Sequence, residues 1–135
     1  MSDDPHATAF LSLLRAVPGL RVFPDGEGGT PTATTALPYV VAWISVRYDL
    51  GPTIEGRSSR GVATATVHSV GANDTAARIT AGRVRVALLD VVPAMTGRRP
   101  YPIRQDASLP PDVDESTGRR VFDQIDQYRL ESLPG

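Results

Sequence analysis

Residues 37–50 read LPYVVAWISVRYDL, a run dominated by β-branched and aromatic side chains. Such side chains lose rotamer freedom in a helix and fit the pleated surface of a sheet, so the run predicts one long strand. Alternation then assigns its faces. Val40, Ala42, Ile44 and Val46 form the cleaner core face, while Tyr39, Val41, Trp43, Ser45 and Arg47 point the other way. Tyr39 and Trp43 give the second face a need for cover too, from a helix or from another chain.

A second alternating run, VATATVHSV at 62–70, follows a polar connection, GPTIEGRSSRG at 51–61. Together the runs predict a hairpin. Its tip exceeds the roughly two to five residues of a tight turn, which suits it to act as an arm.

Next comes SVGANDT at 69–75, a glycine and polar residues at a strand-to-helix junction. Junctions of this kind can cradle phosphate. Here there is a single Gly, no Lys anywhere in the chain, and an acid, Asp74, that would repel an anion at the helix start. A P-loop needs spaced glycines with a Lys, and a dinucleotide-binding turn needs three glycines. The stretch is therefore read as a structural joint. Asn73 caps the helix and Asp74 suits the positive end of its dipole. Ile79, Gly82, Val86 and Leu89, extended by Ala76, share the face expected to be buried. Gly82 on that stripe predicts close approach to the sheet. Arg78, Arg83 and Arg85 fall elsewhere on the wheel, toward water or a partner, and Pro93 stops the helix.

Asp3, Asp4 and Pro5 mark the start of an earlier helix, whose apolar stripe is Phe10, Leu13, Leu14 and Val17 and whose end is Pro18-Gly19. LRVFP at 20–24 reads as a short strand, and the Gly-, Thr- and Pro-rich 25–36 as a long loop. Residues 97–106 predict a turn and a short strand, with Pro100 and Pro102 suited to an edge because neither donates to a ladder. A second polar loop is expected at 107–120. VFDQIDQYRLES at 121–132 predicts a final strand with one half-buried face, too polar for a fully covered central strand. The resulting expectation is a single domain over 1–135, of α+β class. It has a mixed, mainly antiparallel sheet of four to five strands flanked by two helices, both on one face, and long loops at 25–36, 51–61 and 107–120.

Few chemistries survive inspection. The chain has 135 residues, a net charge of −1 and no Cys, which excludes disulfides, thiolate catalysis and Cys-based zinc sites. A near-neutral balance gives no global attraction to nucleic acid or an acidic membrane. No basic segment leads into an apolar run at the N-terminus, and no run approaches the roughly 20 residues of a membrane helix, so a soluble product made in the cytoplasm is expected. Asp112, Asp114 and Glu115 lack the spacing of a calcium loop. His6 and His68 have no paired metal-ligand spacing. Ser69 adjoins His68 and would point to the opposite face of a strand, and Asp123 and Asp126 are likewise opposed. No nucleophile elbow occurs.

All 14 basic residues are Arg, whose planar fork suits carboxylate pairing across interfaces. Several stand in loops as pairs: Arg57 and Arg60, Arg98 and Arg99, Arg119 and Arg120. Without interleaved aromatics they fit neither an RNA-stacking platform nor a recognition helix. Arg57, Arg60, Arg78, Arg85, Arg119 and Arg120 are the candidate contact residues toward a neighbouring chain. Catalytic, cofactor and metal residues are not predicted.

The layout resembles the tail terminator proteins of long-tailed phages, particularly those of actinobacterial hosts. The likeness is carried by ATAFLSLLRAV, LPYVVAWIS, GPTIEGRSSRG, ATVHSVGANDTAARITAGRVRVALLD, GRRPYPIRQD and VFDQIDQYRLES, in that order. It implies a small fold with a sheet flanked by helices, assembled with itself into a homo-hexameric ring at the head-proximal end of the tail tube. The ring would contact the tail tube protein, end tube polymerisation and join the tail to the head-neck connector or stopper protein. Genomic DNA would pass through its lumen without sequence-specific binding. The resemblance places the protein in the virion at the tail-neck junction, with no cofactor, no catalytic residue and no membrane partner. Two other readings stay open: another neck protein (a head-completion or stopper ring), and a small nucleotide-binding or enzymatic domain.

Overall fold

A computed structural model describes residues 4–23, 30–50, 58–116 and 118–135. Its frame is a long antiparallel ribbon of β2 (Tyr39–Leu50) and β3 (Ser58–Gly71), paired from Tyr39↔Val70 to Leu50↔Ser58. Residues 58–61, read as part of the arm, belong to β3; 51–57 lie outside the described residues. β1 (Arg21–Phe23) pairs parallel with β2, which makes the sheet mixed. The other edge of β3 pairs antiparallel with β7 (Val121–Pro134).

The far edge of β7 is met in turn by three short strands: β6 (Asp112–Asp114), β5 (Arg104–Ser108) and β4 (Arg98–Pro100). The sheet therefore has seven strands where four to five were expected. Prolines are the cause. Pro100, Pro102, Pro110 and Pro111 lack the N–H a ladder needs, so the edge is built in pieces. β7 is also more central than its polarity suggested, being hydrogen-bonded on both sides. Asp123, Gln127, Arg129 and Glu131 keep partial exposure on the face away from the helices, while Asp126 and Ser132 are buried in step with Tyr128 and Leu130.

Both helices pack against the sheet. α1 (Pro5–Arg15) contacts β1, β2 and β3, and α2 (Asp74–Leu88) contacts β3 and β7. The core joins Phe10 and Leu14 of α1, Val84 and Leu88 of α2, Val40 and Ala42 of β2, and Tyr128 and Leu130 of β7. Each fully buried Leu, Val or Phe contributes about 1.5–3 kcal/mol relative to an exposed one. A smaller cluster of Phe23, Tyr39, Val70 and Val121 covers one end of the second face. It supplies the cover Tyr39 needed; Trp43, further along, stays 59% exposed.

The caps form as the sequence predicts. Asp4 accepts from the His6 N–H at 2.8 Å, and Asn73 accepts from the Ala76 N–H at 2.8 Å. The buried stripe of α2, however, is Ala77, Thr80, Ala81, Val84 and Leu88, not the expected Ile79, Gly82 and Val86. At its start α2 lies close against the end of β3. A Cβ on Gly71 would lie 2.6 Å from the Ala77 nitrogen, and β3 presents Ala63 and Ala65 beneath the helix layer. Ala77 and Ala81 fill the space nearest that joint, and Val84 and Leu88 fill the core farther along the helix. Gly82 lies outside, with nothing within 4 Å of the position a Cβ would take.

Candidate assembly surfaces

That orientation of α2 leaves an apolar face bare. Ile79 is 62% and Val86 84% exposed. With Leu13, Val17 and Pro18 of the α1 end they line an open groove of about 700 Å³ between the two helices. Arg83 reaches across it to donate to the Pro18 carbonyl. Arg83 is the basic residue among those lining the groove; Arg78 and Arg85 border a separate cleft toward β5.

A second exposed apolar region lies beyond β7. Leu109, 55% exposed, and Val113 project from the β5–β6 segment. The stretch 106–115 carries Asp106, Asp112, Asp114 and Glu115 and no base, so this ledge is acidic. Asp114 is held below the usual carboxylate range by the Ser116 backbone and side-chain hydrogen bonds, against the effect of burial. Asp112 and Glu115 face solvent.

The predicted arginines do not converge on one place. Arg57 lies outside the described residues. Arg60, at the start of β3, pairs with Glu131. Arg119 and Arg120 flank the opposite end of the sheet. Arg119 donates to the Thr35 carbonyl at 2.6 Å, and the Arg120 guanidinium lies 5.8 Å from the Phe122 ring centroid. Eleven residues of β7 at about 3.3 Å each separate the two ends by roughly 35 Å. Arg78 pairs with Asp74 one turn earlier at 3.2 Å, and with Arg85 it borders a cleft toward β5.

One constellation escaped sequence reading. Asp4, His6 and Ser132 form a chain: His6 Nδ1 lies 2.9 Å from Asp4 Oδ1, and His6 Nε2 lies 2.7 Å from Ser132 Oγ. The order matches an acid–His–Ser triad. Accessibility does not. His6 and Ser132 are both fully buried, and Ser132 Oγ already accepts from Arg98 Nε at 2.9 Å. With a neutral ring protonated on Nδ1, Ser132 donates to Nε2 and every partner is satisfied. Tyr48 closes the other end, donating to Asp4 Oδ2 at 2.5 Å. Burial opposes ionisation of Asp4, but the hydrogen bonds from Tyr48 and His6 outweigh it and hold the carboxyl below its ordinary range. A Cβ on Gly61 would lie 2.5 Å from the His6 ring, so Gly61 makes the approach possible. The arrangement fastens the start of α1 to the far end of β3 and β7. Residues separated by 126 positions leave no local signal for it.

On the uncovered sheet face, His68 Nδ1 donates to Asp123 Oδ2 at 2.8 Å. That bond raises the His68 pKa above its ordinary value, against burial, and the charges of Asp123 and Asp114 add to it. Among the described residues, no group of three metal-ligating side chains occurs, and no helix is long and apolar enough to cross a membrane.

Neither a protein-family profile nor a curated protein sequence matches the chain. Solved structures do match in fold. One solved chain has a TM-score of 0.60 at 15% identity, over 98% of this chain and 96% of its own length. Another has a TM-score of 0.65 at 16% identity, over 96% of this chain and 99% of its own. The latter is a chain of the virion of a native gene transfer agent particle, and this protein shares its fold almost from end to end.

Proposed function

We propose that this protein is a non-enzymatic structural component of a phage-type virion. In this reading it forms a ring at the head-proximal end of the tail tube, ends tube polymerisation and joins the tail to the head-neck connector. The observation that carries the proposal is the end-to-end fold likeness to a virion chain, with 96% and 99% of the two chains covered. It is supported by two unlike exposed apolar surfaces, a groove that holds Arg83 and a ledge beside Asp112 and Glu115, since a ring needs two unlike patches that meet head-to-tail. The partners in this reading are further copies of the chain, the tail tube protein and the connector or stopper, with DNA in the lumen. Arg57, Arg60, Arg78, Arg85, Arg119 and Arg120 are proposed contacts, and their spread over both ends of the sheet suits a subunit gripped above and below.

Gold-labelled antibody on intact particles tests the assignment. Label at the junction of tail tube and neck supports it. Label on the portal side of the neck favours a head-completion or stopper ring, and unlabelled particles contradict a virion role.

A further inference from the structure

The two bare apolar regions are complementary in chemistry and cannot satisfy each other within one chain. The groove lies on the α1 side of α2. The ledge of Leu109 and Val113 hangs from strands paired to β7, on the other side of α2. A helix about 10 Å across stands between them. The groove has a floor shaped by small residues, Ala16, Gly82 and Ala87, with Ile79 and Val86 as its exposed wall and Arg83 within it. The ledge offers a branched apolar side chain, Leu109, two stiff prolines, and exposed carboxylates at Asp112 and Glu115.

We propose that the α1–α2 groove receives the 109–113 ledge of a second copy of this chain. Leu109 enters between Val17 and Val86, and Asp112 meets Arg83. Apolar contact supplies the attraction, and the pairing of Asp112 with Arg83 fixes orientation and register. Because the two patches differ, the joint is heterologous: each copy gives its ledge to one neighbour and its groove to another, and the series closes as a ring. The exposed Ile79 and Val86, unexplained by folding, then become buried in the assembly. The inference rests on the ring reading above and names its subunit joint.

The cysteine-free sequence makes a direct test available. Val86→Cys and Leu109→Cys, both at exposed positions, are prepared singly and together, treated with a thiol oxidant and run without reductant; native mass is recorded for each. The chain with both cysteines is expected to give a ladder of dimer, trimer and higher species. An equal mixture of the single variants should stop at dimer, and neither single variant should crosslink alone. Crosslinking of Val86→Cys by itself would mean groove meets groove, and overturns the proposal. Absence of a ladder from chains whose native mass is oligomeric also overturns it, while leaving the ring reading intact. A monomeric mass at every concentration, without a ladder, overturns both.

Discussion

Helix α2 turns Ala77, Thr80, Ala81, Val84 and Leu88 inward and leaves Ile79 and Val86 in water, whereas α1 buries Phe10 and Leu14 and exposes no comparable stripe. Both helices cover the same sheet. Each meets β3 closely at one glycine, α1 at Gly61 beneath His6 and α2 at Gly71 beneath Ala76 and Ala77. What remains outside on α2 is a surface that folding does not use and assembly can.

The largest effect should separate the two faces of α2. Leu88→Ala removes a fully buried side chain and is expected to cost about 2–5 kcal/mol, lowering Tm by roughly 10 °C or more in a calorimetric scan. Val86→Asp, on the exposed face, should move stability by about 0.5 kcal/mol or less while abolishing oligomers in native mass spectra. Comparable Tm losses from both would erase the distinction. Gly71→Ala probes the close approach itself. Its Cβ would fall 2.7 Å from Ala76 Cβ, and a loss of about 1–3 kcal/mol in urea unfolding is expected. Gly82→Ala sharpens the opposite side. With open space at that position, the change should stabilise the helix by about 0.5–1 kcal/mol, and a destabilised variant would mean that the outer face is packed after all.

The smallest expected effect concerns the uncovered sheet face. His68 has a pKa raised above its ordinary 6.5 by Asp123. The protonated ring is therefore favoured in the folded state. Its contribution is complete below about 6.5 and disappears as pH rises through the folded value. Urea midpoints should show Asp123→Asn losing up to about 1 kcal/mol near pH 5 and almost nothing near pH 8.5. Equal losses at both values would contradict the coupling.

Much of this fold was legible because strand periodicity is local. Val40 and Ala42 inward and Trp43 outward follow from alternation alone, as do the caps at Asp4 and Asn73 from their residue types. The face of α2 was not legible from apolar spacing, since Ile79, Gly82 and Val86 form as good a stripe as Ala77, Ala81, Val84 and Leu88. The Asp4–His6–Ser132 chain was hidden for another reason: β7 had to be placed beside β3 before Ser132 could meet the start of α1. The arginine pairs were visible as residues, yet their separation along β7 emerges only once that strand spans the sheet.

The most direct test of the assembly account is the mass of the purified protein, alone and mixed with the tail tube protein of its own particle. The account predicts a discrete oligomer that caps tube ends and limits tube length. A monomer at all concentrations that never joins tubes would contradict it.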